Sequence, residues 1–460
     1  MPLNGRVAVV DDKSDEAVPL IQVLSKNKIS AAYFSGEVDT LPESPLDNIR
    51  IIFMDLKLGS AATEPKTVVS QVLAVIKKLI SDRNGPYALI LWSKHDSHYK
   101  TDLETAFCSP DLQSIKPIVF LTMDKAEYID RDEEDNVVID DDALDKITNK
   151  LTDAAKKFNA FELFLIWENI VHSSAGEIVT DFSSFYPLDE EWNSKIAAIL
   201  FQLAQAEIGK HVRDVDFKDH VVAAFNIFNQ TFMDLLEYNI MASDYNDVKM
   251  SLQGIVEEGI KAKINTKLYL SQSQLELDCP GTLYIDSNKS RFSTFSQLVY
   301  DCLDMKQLHE VLAKKLNVNC TDLYEDGKLK RAYKKPCSEY FHMIETNSES
   351  VFLEVTPSCD FAQKKWTMNR ILPGFKINSE YKDLIKKADY IYKTPIFEID
   401  NKTHVFILDL RYMTSMSKVN FNNLTQTNDV QKNYRIRHSL LTDIQSHLAR
   451  HINRPGIQSL

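Results

Sequence analysis

Apolar residues follow two different patterns in the first 130 positions of the chain. Short, wholly apolar runs such as "VAVV", "IIFM", "ALILW" and "IVFL" predict strands that are buried on both faces. Apolar residues from Val68 to Ile80 recur at three- and four-residue spacing, which predicts a helix between two of these strands. With "KISAAYF" as a further strand, the pattern predicts a doubly wound α/β domain whose five parallel strands have the order 2-1-3-4-5.

The pattern changes twice beyond residue 130. Residues 130–142 are rich in charge, and four long segments between there and residue 345 carry apolar residues at helical spacing. After Glu345, "SVFLEV" and "THVFILDL" indicate strands, and "ILPGF" between them predicts a turn. The sequence therefore predicts a doubly wound domain over 1–130, a helical region over 131–345 and a mixed α/β domain over 346–460.

The composition and net charge disfavour several classes of protein. The formal net charge of −13 over 460 residues disfavours a protein built to coat nucleic acid, which usually has a basic surface. Six cysteines without a C-x-x-C pair indicate reduced thiols rather than a disulfide framework. No apolar stretch has the length of a signal peptide or a membrane span, so we expect a cytoplasmic protein that does not bind membranes.

The last thirty residues are an exception to the acidic composition. Residues 431–460 carry five basic side chains against Asp443 alone. An apolar stripe from Leu440 to Ile452 in the same segment requires burial. We therefore expect Arg435 and Arg437 to make contacts within the chain, and nucleic-acid binding to be weak.

Polar side chains follow the predicted strands at the point where each ends. Asp11 and Asp12 follow the first strand, Asp55 the third and Ser93 the fourth, and Lys125 lies just beyond the fifth. Parallel strands bring these ends to one edge of the sheet. Three carboxylates there repel each other unless a cation joins them, and Mg²⁺ suits such ligands. Beside the cation and an ammonium group, Asp55 could attack phosphorus and hold a phosphoryl group.

This constellation resembles the receiver domain of two-component response regulators, over about residues 5–130. The resemblance implies that Asp11, Asp12 and Asp55 bind Mg²⁺ together with the backbone carbonyl of Lys57. It further implies that Asp55 accepts the phosphoryl group, that Ser93 contacts the phosphoryl oxygens and that Lys125 pairs with them. The phosphoryl donor would be a histidine-kinase-like partner protein.

Two features depart from the family pattern. In the receiver family, the lysine directly follows strand five and precedes a proline. Lys116 precedes Pro117 and matches that dipeptide, although it lies before the predicted strand. Lys116 is therefore the alternative to Lys125. The final helix is displaced by "AEYIDRDEEDNVVIDDD", with the next helical pattern starting near Ala143, so we expect a remodelled signalling face. These departures leave a second hypothesis, an unphosphorylated pseudo-receiver that serves as a docking or scaffold subunit.

A third hypothesis is an effector enzyme in the C-terminal region. In "TPSCDFAQKK", Cys359 and Asp360 follow a proline-containing turn and could form a metal or catalytic site, although a structural turn explains them as well. His447 and His451 lie four residues apart and could share one metal ion with Cys359. The phrases "TPSCDFAQKK" and "LARHINRPG" are similar to those of bacterial defence proteins with divergent receivers, which implies a GHKL-type ATPase as the partner and leaves a homodimer open.

Overall fold

The computed structural model divides the chain into two compact units. The first comprises 1–196 and 228–252, and the second comprises 197–227 and 253–460. The domain boundaries at residues 130 and 345 stay predictions. The structure describes residues 6–59, 64–93, 97–131, 137–139, 142, 145–147, 149–150, 159–245, 254–272, 280–291, 294–357, 361 and 366–452.

The first unit begins with a five-stranded sheet in the order 2-1-3-4-5. All neighbouring strands are parallel, so the predicted doubly wound topology is confirmed. The strands are β1 (Val7–Val10), β2 (Ala31–Phe34), β3 (Ile51–Met54), β4 (Ala88–Trp92) and β5 (Val119–Met123). The crossover helices are α1 (Ser14–Lys26), α2 (Pro65–Leu79) and α3 (Ser97–Ala106).

Both faces of this sheet are covered, which explains why its strands are apolar at every position. Along β1, Val7 and Val9 belong to one apolar cluster together with the buried side of α1. Ala8 and Val10 belong to a second cluster with α2 and α3 on the opposite face. Successive residues of a strand point to opposite faces, so neither face of β1 tolerates a polar residue.

A long helix far along the chain completes the face that α1 covers. Helix α4 (Asn159–Ser183) contributes Phe161 and Leu165 to the cluster that contains Val7 and Val9. Between β5 and this helix lies a short antiparallel hairpin of β6 (Ile129–Arg131) and β7 (Val137–Ile139). The chain therefore continues from β5 into a β-hairpin and not directly into an α-helix.

An ionic cluster fixes α4 at the amino-terminal edge of the sheet. Glu168 of α4 is bonded to Arg6, which precedes β1, and its Oε1 lies 2.6 Å from Arg50 Nη2, just before β3. Arg50 also donates from Nη1 to the carbonyl of Asn84 at 2.7 Å. Both arginines are buried, so Glu168 supplies the negative charge that makes their burial tolerable.

The second unit is built on an antiparallel sheet of nine strands, which confirms the predicted mixed α/β C-terminal region. The strands are β8 (Leu270–Ser271), β9 (Thr282–Asp286), β12 (Glu349–Glu354), β13 (Met368–Asn378), β14 (Ile391–Lys393), β15 (Phe397–Ile399), β16 (Lys402–Asp409), β17 (Thr414–Ser417) and β18 (Val430–Ile436). Their order in the sheet is β14-β16-β13-β12-β9-β18-β8, with β15 paired to β16 and β17 paired to β13. A separate two-stranded hairpin pairs β10 (Tyr324–Glu325) with β11 (Lys328–Leu329).

Eight further helices follow α4 in the described part of the chain. They are α5 (Trp192–Ile208), α6 (Phe217–Ala242), α7 (Glu258–Tyr269), α8 (Phe295–Cys302), α9 (Met305–Lys315), α10 (Arg331–Thr346), α11 (Lys418–Thr425) and α12 (His438–Ile452). Within the described residues, no helix combines the length and the apolar character that crossing a bilayer requires. The segment predicted as helical also contributes β8 and β9 to the sheet.

The turn predicted at "ILPGF" is wrong, because this segment runs through the middle of β13. Pro373 fits because β17 pairs with β13 only as far as Ile371, and β16 begins to pair at Gly374. A missing backbone N–H is therefore tolerated at that change of partner. A Cβ atom on Gly374 would meet the Ile407 carbonyl at 2.1 Å, so glycine is required there by the close approach of two strands.

Removal of the charge on Glu168 should destabilise the first unit. Glu168→Gln leaves Arg6 and Arg50 buried without a counter-charge, and we expect a loss of about 3 kcal/mol. Urea titration with hydrogen exchange of β1 and β3 peptides measures it. Glu177→Gln, at an exposed position of the same helix, is the matched control. Equal stability of the two variants would contradict the ionic anchoring of α4.

Candidate functional site

The carboxyl ends of β1 and β3 lie side by side and set the geometry of the site. The register pairs Val10 with Met54, and the Asp55 N–H donates to the Val10 carbonyl at 2.8 Å. Asp11 and Asp55 therefore follow adjacent strand ends, as expected at the ligand-binding edge of an open α/β sheet. Both carboxylates are buried, Asp11 completely.

The ammonium group of Lys125 lies at the centre of the site and is itself buried. Its Nζ donates to Asp11 Oδ2 at 2.7 Å, to Glu16 Oε2 at 3.0 Å and to Asp55 Oδ2 at 3.1 Å. Only 1% of Lys125 is exposed. An ammonium group has three hydrogens, so these three carboxylates use all of them.

The sequence analysis missed Glu16. Glu16 belongs to the first turn of α1 and is buried. An acidic residue there ordinarily indicates a favourable interaction with the helix dipole, and that reading hid its second role. The signal was available in "DDKSDE", which places Glu16 one helical turn beyond Asp12 at the same edge of the sheet.

Three carboxylates leave oxygens that fit a cation. Asp11, Asp12 and Asp55 each offer one oxygen, and these lie within 4.8 Å of one another. Asp12 Oδ2 accepts from the N–H of Gly59 at 3.1 Å. Its Oδ1 is buried and has no hydrogen-bond partner among the described residues. A buried carboxylate oxygen without a donor is the kind of group that a hard divalent ion satisfies.

The loop after β3 supports Asp55 from the other side. The N–H of Lys57 lies 3.4 Å from Asp55 Oδ1. Lys57 itself is exposed, and its contact with Asp55 is made through the amide rather than the carbonyl. The role of that carbonyl as a metal ligand stays a prediction.

Burial and charge shift the two central pKa values. Burial raises the pKa of Asp11 to about 6; the adjacent Lys125 opposes this shift, and the charge of Asp55 adds to it. Burial by itself lowers the pKa of Lys125. The charges of Asp55 and Asp11, with hydrogen bonds to Asp11 and Glu16, outweigh burial and raise the pKa of Lys125 above its ordinary value. The ammonium form is therefore the one present at neutral pH.

Ser93 and Lys116 are the other residues predicted to contact a phosphoryl group, and they lie in different places. Ser93 is buried at the end of β4, and its carbonyl accepts from the Lys125 N–H at 3.4 Å, so both residues lie at the site edge. Lys116 precedes β5, and its Nζ lies 3.9 Å from the exposed Cys108 Sγ. The structure therefore brings Lys125 to Asp55 and leaves Lys116 elsewhere on the surface.

The second candidate site receives no support from the described residues. Cys359 and Asp360 lie outside them. The ring of His447 packs on Tyr392 with centroids 5.2 Å apart, and His451 lies one turn further along α12. In the part of the chain that the structure describes, neither histidine belongs to a group of three potential ligands.

The C-terminal segment packs within its own unit. Leu440, Ile444 and Leu448 are buried, whereas Ile452 is exposed. The backbone N–H of Arg437 donates to the Tyr269 carbonyl at 2.8 Å. Arg435 lies in β18, where it is paired in register with Ser271 and Thr282. The basic segment therefore contributes a strand and a helix to the C-terminal sheet region.

The N-terminal segment is thus a doubly wound α/β domain with a cluster of carboxylates at the carboxyl edge of its sheet. A solved structure with which the chain aligns is the signal receiver domain assigned to a Luxo repressor protein from Vibrio parahaemolyticus. The alignment covers 36% of this chain and 98% of that chain, with 13% identity and a TM-score of 0.20. No protein-family model matches the chain, and no curated protein does.

The raised pKa of Asp11 predicts an unusual pH dependence. Between its ordinary value of 3.8 and about 6, the folded protein binds this proton more tightly than the unfolded protein does. The stability contributed by Asp11 therefore falls as the pH rises through this window. In EDTA, the stability of wild type relative to Asp11→Asn should fall by about 2 kcal/mol between pH 4 and pH 7. Urea titrations at each pH, followed by hydrogen exchange of β1, measure it. A difference that does not change with pH would contradict the electrostatic account.

Proposed function

We propose that this protein is a response-regulator-like signalling protein whose Asp55 accepts a phosphoryl group from a histidine-kinase-like partner. The observation that carries the proposal is the contact of Asp55 with Lys125 beside two further carboxylates. A nucleophilic carboxylate, a fixed ammonium group and a cation site together meet the needs of phosphoryl transfer, which depends on positioning and charge neutralisation.

The reaction requires little movement of the chain. An oxygen of Asp55 attacks phosphorus, a P–O bond forms, and the P–N bond to the donor imidazole breaks. Lys125 then pairs with a phosphoryl oxygen instead of the Asp55 oxygen that it contacts now. Mg²⁺, held by Asp11, Asp12 and Asp55, would neutralise the phosphoryl oxygens. Ser93 lies at the same edge and supplies a hydroxyl group to them.

The output follows from the position of Lys125 in the chain. The residue begins a single 3₁₀ turn, Lys125–Glu127, that leads directly into β6. Arg131 at the end of β6 reaches back to Glu16 at 3.4 Å. A shift of Lys125 toward a phosphoryl group would therefore pull on the β6–β7 hairpin, and we propose that the signal passes from there to the helical and C-terminal regions. A role beside a GHKL-type ATPase in bacterial defence is the part of this proposal that rests on sequence resemblance.

A second function is favoured by one observation. Lys125 already donates to three carboxylates, so its ammonium group is fully hydrogen-bonded without any phosphoryl group. A receiver-like module of this kind could serve as a permanently unphosphorylated docking subunit. The two functions differ in whether Asp55 reacts.

Acetyl phosphate with Mg²⁺ should add one phosphoryl group to the wild-type chain. We expect Asp55→Asn to remain unmodified, because the amide lacks the nucleophilic oxygen. Intact-mass spectrometry reads the adduct, and hydroxylamine should remove it, as expected of an acyl phosphate. Asp39→Asn, at an exposed position of the same domain, is the matched control and should react like the wild type.

Two results would contradict the signalling proposal. One is an adduct of equal amount in Asp55→Asn. The other is an unmodified wild-type chain with acetyl phosphate and with phosphoramidate, which would leave the docking function.

A further inference from the structure

We propose that Glu16 is a positioning residue that restrains Lys125 and slows phosphoryl transfer to Asp55. This inference rests on the proposed function and concerns a residue outside the set implied by the receiver resemblance. It starts from the fourth carboxylate of the site, which lies on α1 and not at a strand end.

All the hydrogen-bond donors of the Lys125 ammonium group are already in use. Its three N–H donors are directed at Asp11, Glu16 and Asp55, all within 3.1 Å. No donor is left for a phosphoryl oxygen. The phosphoryl group must therefore take over one of these bonds before the ammonium can neutralise its charge.

Glu16 makes the exchange of a Lys125 hydrogen bond for one to a phosphoryl oxygen unfavourable. Its carboxylate attracts the ammonium at 3.0 Å in a buried setting, where charge-assisted hydrogen bonds are strong. The same negative charge repels the incoming phosphoryl oxygens. Both effects favour the unphosphorylated site over the phosphorylated one, so together they act as a brake.

Further contacts hold the Glu16 side chain beside Lys125. Its other oxygen, Oε1, lies 3.4 Å from Arg131 Nη2 and 3.5 Å from Lys13 Nζ. The side chain is 6% exposed, so a turn away from these cations would leave its charge buried without a partner. Glu16 is thus held between Lys125 on one side and Arg131 on the other.

The neighbouring acidic residue provides a matched control. Asp15 precedes Glu16 on α1, and its Oδ2 also lies 3.4 Å from Arg131 Nη2. Its side chain is 55% exposed. Among the contacts of the described residues, Asp15 is joined to Arg131, whereas Lys125 is joined to Glu16. Asp15→Asn therefore removes the same charge from the same turn and leaves the three bonds of Lys125 in place.

The test measures how fast the full-length protein is phosphorylated. Wild type, Glu16→Gln and Asp15→Asn are incubated with acetyl phosphate and saturating Mg²⁺, and intact mass is followed over time. We expect Glu16→Gln to react about tenfold faster, the effect of one charge-assisted hydrogen bond, and to reach a higher steady-state fraction. Asp15→Asn should stay within about twofold of wild type, as expected of an exposed charge.

A second variant keeps the inference testable if Glu16→Gln is poorly folded. Arg131→Gln removes a cation that holds the other oxygen of Glu16, at a side chain that is 35% exposed. Glu16 can then turn away and release Lys125, and we expect faster phosphorylation. Local unfolding lowers both the rate and the steady-state fraction, so a rise of both in Glu16→Gln is not a sign of damage.

The outcomes separate the two proposals. A wild-type chain that forms no adduct overturns the proposed function and, with it, the role of Glu16. A wild-type chain that is phosphorylated while Glu16→Gln reacts at the same rate or more slowly overturns the role of Glu16 alone. An equal acceleration in Asp15→Asn also overturns it, because the effect would then come from net charge rather than from the bond to Lys125.

Discussion

A buried ammonium group surrounded by three carboxylates is the interaction on which the N-terminal site depends. Lys125, Asp11, Glu16 and Asp55 are all nearly inaccessible to solvent, and burial of any one of these charges alone would cost several kcal/mol. The ammonium group of Lys125 offsets part of this cost for each carboxylate, and the carboxylates together offset it for the ammonium. The strand ends, the first turn of α1 and the turn after β5 must therefore meet at one point.

The opposite edge of the same sheet repeats this principle with the charges reversed. There, one carboxylate, Glu168, pairs with both buried arginines, Arg6 and Arg50. The cluster joins α4 to the amino ends of the strands, whereas the Lys125 cluster joins α1 to their carboxyl ends. Between the two clusters the sheet is apolar on both faces. The carboxyl edge differs in one respect, because among the described residues the buried Oδ1 of Asp12 there has no hydrogen-bond partner.

Sequence patterns were sufficient where burial alone determines the structure. The apolar strands, their order and the residues at the strand ends follow from rules about parallel sheets, and these include Asp55 and Lys125. Contacts between distant positions were beyond reach: nothing local marks Glu168 as the partner of Arg50. Glu16 was missed because an acidic first-turn residue already has a local explanation. Pro373 was misread because a proline suits a strand only where the neighbouring strand changes, which depends on the completed sheet.

The central claim is that Asp55 and Lys125 together form a phosphoryl-binding site. A crystal structure of the full-length chain with Mg²⁺ and beryllofluoride tests it most directly. The account predicts beryllium bonded to an oxygen of Asp55, a fluorine within hydrogen-bond distance of Lys125 Nζ, and a metal ion bound by Asp11 and Asp12. A site without beryllium at saturating concentration, with Lys125 still bonded to the Asp55 carboxylate, would contradict it.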